Sequence, residues 1–166
     1  MNRVSVSAEE VPLPAWAGRV KSFAKTVLAR LDRDRLEISI LLCDDRVIAD
    51  LNSRYRGKEG PTDVLSFADS GGFPRAGRSA YAYAGDIAIS LDTLRENARL
   101  FGIARDEELR RLLIHGILHL DGMDHHTNDK AEPMLRLQEQ ILEELAYCRV
   151  LPPAKTPKAV PAGRDA

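Results

Sequence analysis

All four histidines of the chain fall within HGILHLDGMDHH, residues 115–126, and that concentration limits the folds that can surround them. His115 and His119 stand four apart, so on a helix they share a face, one turn above each other. Gly122 accepts the left-handed backbone that closes a helix, and the chain can then double back to bring His125 towards the pair. Three imidazoles with a fourth position open form the donor set of a catalytic zinc ion, one per chain, whereas structural zinc is closed by four ligands and favours Cys. The two cysteines, Cys43 and Cys148, lie far off in sequence. His126 or Asp124 could still close the set, and an HxxxH pair alone recurs by chance on polar helix surfaces. The third histidine, the glycine and the lack of His elsewhere favour an open metal site on His115, His119 and His125.

The remaining composition bounds the setting. With 166 residues and 44% hydrophobic content the chain can bury the core of one domain. Formal charge is −1, from 24 basic and 25 acidic residues, so a nucleic-acid partner has to be held by a local patch. Two cysteines make no disulfide framework. No apolar run resembles a signal peptide or approaches the ~18 residues that span a bilayer, so a cytoplasmic protein without membrane contact is expected.

Taken in order, Val4 and Val6 alternate with serines and suit a short edge strand, and Trp16, Val20, Phe23, Val27 and Leu31 form the apolar stripe of a first helix. LEISILLC, residues 36–43, alternates as a strand. Cys43 at its end reads as a small buried hydrophobe. Asp44 and Asp45 can cap a second helix with Val47, Ile48, Leu51 and Tyr55 inward, which delivers Asn52 and Arg56 before Gly57, Gly60 and Pro61 break it. TDVLSF is β-prone and runs into a loop with Gly71, Gly72, Pro74 and Gly77. Residues 51–80 hold five basic side chains (Arg54, Arg56, Lys58, Arg75, Arg78) against three acids (Glu59, Asp63, Asp69), a modest attraction for phosphate.

YAYAGDIAIS, residues 81–90, reads as another strand, in which Asp86 is either a turn residue or an acceptor that orients a ligand imidazole. A helix over 91–100 follows. Asp106 can start the next, anchored by Leu109, Leu112, Leu113, Ile117 and Leu120, which leaves His115 and His119 on a neighbouring stripe at the rim of the buried face. Asn128 or Asp129 can cap a last helix with Pro133 in its first turn and Met134, Leu137, Ile141 and Leu145 inward. Residues 1–150 are therefore expected to form the catalytic domain, of α+β class, a small mixed sheet covered by helices. The Pro-, Ala- and Lys-rich residues 151–166 are expected to be a disordered tail.

The histidine segment resembles the H-G-x-L-H-L-x-G-Y-D-H signature of the YbeY family, bacterial metal-dependent endoribonucleases of rRNA maturation, with Met123 where Tyr is usual. LNSRYRGKEGPTDVLSF, residues 51–67, is similar to a second block of that family, with Ala68 where a proline often follows, and GDIAIS, residues 85–90, to a third. The resemblance implies a metal on His115, His119 and His125, with His115 and Arg56 catalytic and Arg56 beside the metal. It implies a zinc-dependent endoribonuclease preferring single strands, acting on ribosomal RNA in the small subunit, in 16S rRNA 3′ end maturation and ribosome quality control.

From the residues alone, two further classes stand beside this one. A metallopeptidase also places HxxxH on a helix, but the HExxH type carries its general base directly after the first histidine, where this chain has Gly116. An RNA- or ribosome-binding protein with a merely structural metal is the third. Arg56 favours phosphate chemistry, because a guanidinium presents a planar fork to two phosphate oxygens. Asp124 is a candidate general base.

Overall fold

The computed structural model describes residues 1–69 and 81–153. In chain order these form β1 (Arg3–Glu9), α1 (Ala17–Arg30), β2 (Leu36–Cys43), α2 (Asp45–Arg56), β3 (Val64–Ala68), β4 (Ala82–Ser90), α3 (Leu91–Phe101), α4 (Arg105–Leu120) and α5 (Pro133–Glu144). The sheet order is β1-β2-β4-β3, with β1, β2 and β4 parallel and β3 antiparallel to β4. The expected α+β domain with a small mixed sheet is what forms, and β1 is an edge strand. The glycine-rich loop expected near residues 71–77 and the tail from residue 154 lie outside the described residues.

Alternation in the strands divides the apolar side chains between two faces. Leu36, Ile38, Ile40, Leu42, Ile87 and Ile89 join the larger core with α1, α4 and α5, while Cys43, Leu65 and Ala88 meet Ile48 of α2 on the other side. The stripe of α1 is core as expected, with Val20, Phe23 and Val27 buried. Cys43 is inert for a physical reason: burial, with Asp44 and other acids nearby, pushes its thiol up to about 12.

Three expected details come out differently. Tyr55, assigned to the inner stripe of α2, is exposed and rests edge-on against Phe67, with ring centroids 5.2 Å apart. Asp106 does not cap α4; the helix starts one residue earlier, and the buried Asp106 carboxylate instead pairs with Arg110 (2.9 Å) and accepts the Val150 and Leu151 amides (2.7 Å each). That clamp ties the segment after α5 to the start of α4. Neither Asn128 nor Asp129 caps α5, because Asp129 accepts the Ala131 amide inside a turn (2.9 Å) and the helix begins behind Glu132 with Pro133 in its first turn.

Two glycines set how closely the layers approach. Between Glu37 and Ile38 the β2–β4 register shifts, and Gly85 of β4 takes φ +139°, a backbone that only glycine adopts without strain. A Cβ there would lie 2.1 Å from the Phe67 carbonyl oxygen. Gly116, between the two histidines of α4, lies against β4 so tightly that a Cβ would meet Ile87 Cγ2 at 2.9 Å. The Ser66 hydroxyl donates to the Gly116 carbonyl (3.4 Å), so β3, β4 and α4 meet at the same level as the histidines.

Urea unfolding of three alanine variants should separate these roles. Gly18→Ala, with open space around its Cβ, should be neutral or stabilising by up to ~1 kcal/mol from helix propensity. Gly116→Ala gains the same propensity but overpacks at a typical cost of about 1–3 kcal/mol, for a net loss of up to ~2 kcal/mol. Gly85→Ala should lose more still, since it meets backbone oxygen at a left-handed φ. A Gly116→Ala protein as stable as Gly18→Ala would contradict the close approach.

Candidate metal centre

Helix α4 carries His115 and His119 on its rim and ends in a Schellman turn: the Met123 amide donates to Leu118 O and the Gly122 amide to His119 O (3.0 Å each), with Gly122 at φ +90°. The turn sends the chain back over the helix end, and His125 arrives beside the first two rings. The ligand-capable nitrogens of His115, His119 and His125 all lie within 4.8 Å of one another. His126 is exposed and outside this group.

Each of the three rings is held from behind through Nδ1. His115 Nδ1 donates to Gln138 Oε1 (2.7 Å), His119 Nδ1 to Met123 O (3.0 Å) and His125 Nδ1 to Thr127 O (2.9 Å). Carbonyl oxygens only accept, so each Nδ1 bears the proton and each Nε2 keeps its lone pair. The orientation of the Gln138 amide is itself fixed, because its Nε2 donates to Glu139 Oε1 (3.0 Å), and that carboxylate is gripped by Arg111 Nε (2.8 Å). Arg111 also pairs with Glu107 and Glu108, and Asn97 links Glu108 to Asp63. Burial opposes the Arg111 charge, but Glu139 and Glu107 outweigh it and raise the guanidinium above its ordinary range.

The consequence is electrostatic. His115 and His119 bring their Nε2 atoms to 3.0 Å with two lone pairs facing each other, which is repulsive unless a cation lies between them. Zinc bonds of 2.0–2.1 Å at tetrahedral angles place ligand nitrogens about 3.3 Å apart, so this spacing fits a shared ion. Burial, with His125 close by, holds His115 below the ordinary imidazole value, and burial with His115 adjacent brings His119 down to about 4. Both rings are therefore neutral, and competent as ligands, at pH 7.

The cluster opens into a polar cleft of about 870 Å³ whose lining includes Arg56, Lys58, Ser66 and Asp124 as well as the three histidines. Arg56 sits in the last turn of α2, which Gly57 ends at φ +62°, and among the described residues its guanidinium forms no ion pair. Asn52, one turn earlier, is buried and donates to Gly60 O (3.0 Å), holding the loop after Arg56 in place. Asp124 accepts the His125 amide (2.8 Å), which lowers its carboxyl below the usual range, and its Oδ1 is 3.9 Å from His119 Nδ1.

Two sequence expectations need correction here. Asp86 neither turns the chain nor orients an imidazole; it lies within β4, exposed, and accepts the Tyr83 hydroxyl (2.6 Å). The orienting role falls to Gln138, which sequence reasoning missed. The available signal was an amide on the inner stripe of α5, in line with Met134, Ile141 and Leu145.

A family sequence model described as "Endoribonuclease YbeY" matches residues 4–146. The chain belongs to this family. An endoribonuclease YbeY of Treponema pallidum is 47% identical over 151 residues, covering 91% of this chain and 93% of the relative. One from Persephonella marina is 40% identical over 146 residues, covering 87% and 94%. A solution structure of a Thermotoga maritima protein aligns with TM-score 0.56 at 29% identity, covering 87% of this chain and 89% of that one. The family's sequence blocks thus have a physical reading in this chain: Ser66, Gly85, Ile87 and Gly116 are where β3, β4 and α4 touch beneath the histidines.

Removing the acceptor behind His115 tests the geometry. Gln138→Leu keeps the volume but strands the Nδ1 proton, and metal affinity by competition with a chromogenic chelator should fall 10–100-fold, the scale for losing such a partner. Gln138→Glu, which still accepts, should retain most of it. Equal affinity in Gln138→Leu and the parent would mean that the amide does not orient the ligand.

Proposed function

We propose that this chain is a zinc-dependent endoribonuclease that prefers single-stranded RNA, with one zinc ion per chain on His115, His119 and His125. Its substrate is read as ribosomal RNA in the small subunit, in 16S rRNA 3′ end maturation and ribosome quality control, within the cytoplasm. Residues 1–150 are read as the catalytic domain and 151–166 as an appended tail. The observation that carries this reading is the convergence of three metal-ready nitrogens on a cleft that also carries Arg56 and Lys58. Among the described residues, no helix is long and apolar enough to cross a membrane.

When bound, zinc supplies Lewis acidity towards a phosphoryl oxygen and brings the pKa of a coordinated water to about 7. The chain's own groups do the rest. The Arg56 fork suits two non-bridging oxygens of the scissile phosphate and offsets the charge that grows on them in the transition state. Lys58 adds attraction along the backbone. His115 serves chemistry through its Nε2, kept available by the hydrogen bond from its Nδ1 to Gln138. Asp124, held in its charged form, is a weak base at neutral pH and is placed better to accept a hydrogen bond than to remove a proton from an alcohol.

A peptide substrate is disfavoured by packing. The HExxH peptidases need a carboxylate where this chain has Gly116, and the space a side chain would occupy there is filled by Ile87.

Arg56→Ala should leave zinc content and urea stability unchanged while lowering RNA turnover at saturating substrate by ~100-fold or more, the scale for losing one preorganised charged donor. Arg56→Lys should recover little, because lysine keeps the charge and loses the fork. Chelation should abolish cleavage and zinc should restore it. Wild-type turnover in Arg56→Ala would remove the assigned role, and a zinc-replete protein that binds RNA without cutting it would favour a structural metal.

A further inference from the structure

A second hollow, of about 560 Å³, lies beside the polar cleft and shares Asp63, Val64, His115, His125 and Asn128 with it. Its character is different. Val64, Phe101, Ile103, Leu112 and Leu135 supply apolar walls, and Phe101, the last residue of α3, stands 65% exposed. We propose that this hollow is a nucleobase pocket, which takes one unstacked base of the RNA strand next to the phosphate held in the Arg56 cleft. The proposal rests on the reading of that cleft as an RNA-cutting site.

Charge argues against a phosphate here. The hollow contains the carboxylates of Asp63, Glu108 and Glu139, and its Arg111 is already committed to Glu107, Glu108 and Glu139. An anion would meet three carboxylates against two cations, Arg111, which is already committed, and Lys130, whose charge already acts on Glu139. A base suits the same surroundings: its flat apolar face can lie on Phe101 and the aliphatic walls, while its ring edge meets the amide of Asn128. The volume falls within the about 300–1,000 Å³ of small-ligand pockets. Continuity supplies the geometry, since a strand whose phosphate lies in the polar cleft has its adjoining base at the boundary formed by His115 and His125. A duplex keeps its bases stacked and cannot insert one, so the pocket would give the site its preference for unpaired RNA.

The test is a binding cycle on the zinc-loaded full chain, read by NMR titration with adenosine 5′-monophosphate and ribose 5-phosphate. The wild type should bind the nucleotide roughly 5- to 100-fold more tightly than the sugar phosphate, the scale of one base stacked on an aromatic ring. Phe101→Ala should lose that preference while binding ribose 5-phosphate as before, and Phe101→Tyr should keep it. Because Phe101 is exposed, both variants should fold. In cleavage of single-stranded RNA, Phe101→Ala should raise KM more than it lowers kcat. A wild type with no base preference, or a Phe101→Ala protein that retains it, overturns the pocket. These outcomes are separable from the nuclease reading: a protein that cuts RNA without base preference keeps its activity and loses the pocket, whereas a Phe101-dependent preference without RNA cleavage keeps the pocket and removes the nuclease.

Discussion

Helix α4 can carry a metal site because it lies on the sheet with no side chain in the way at residue 116. The contact of Gly116 with Ile87 brings the helix backbone down onto β4, and the Ser66 hydroxyl reaches its carbonyl from β3. Rotation about this contact fixes the outward direction of His115 and His119, one residue before it and three after. Gly85 does the complementary work in the sheet, allowing a bulge and close approach of β3. Had either glycine carried a Cβ, it would lie closer than van der Waals contact to Ile87 or to the Phe67 carbonyl, and something in the β3, β4 and α4 packing beneath the histidines would have to shift.

On that frame the polar groups are arranged in depth. Three outward Nδ1 hydrogen bonds leave three inward lone pairs, and burial keeps at least two of the rings neutral. The support behind His115 extends through Gln138 and Glu139 to Arg111, and from there to Glu108, Asn97 and Asp63. Buried polar groups of this kind are costly unless each is paired, and here the pairs form one continuous chain. All of that chain but Asn97 also lines the hollow beside the three histidines, so the residues that steady His115 shape the space next to it as well.

Much of the site was legible because its signals are local. An i, i+4 histidine pair, a helix-ending glycine and a third histidine three residues later describe a cup without knowledge of the sheet. Arg56 at a helix end, and the strand over residues 36–43, follow from short-range periodicity in the same way. What escaped depends on contacts distant in sequence. Tyr55 fits the inner stripe of α2, yet the stripe runs past the edge of the core. Asp106 has the composition of a cap, but its carboxylate is claimed by amides 44 and 45 residues away. The sequence offers Asp86 as a possible partner of a histidine and does not single out Gln138, because strand order and the docking of α5 on α4 are long-range facts, which periodicity does not encode.

The account depends most directly on three imidazole nitrogens sharing one ion. Zinc K-edge X-ray absorption on the purified protein measures this without reference to any substrate. The expected result is about one zinc per chain, with three imidazole nitrogens at about 2.0–2.1 Å, one lighter oxygen or nitrogen donor and no sulfur. A sulfur shell, a fourth imidazole, or a metal retained when His115, His119 and His125 are all replaced would contradict it.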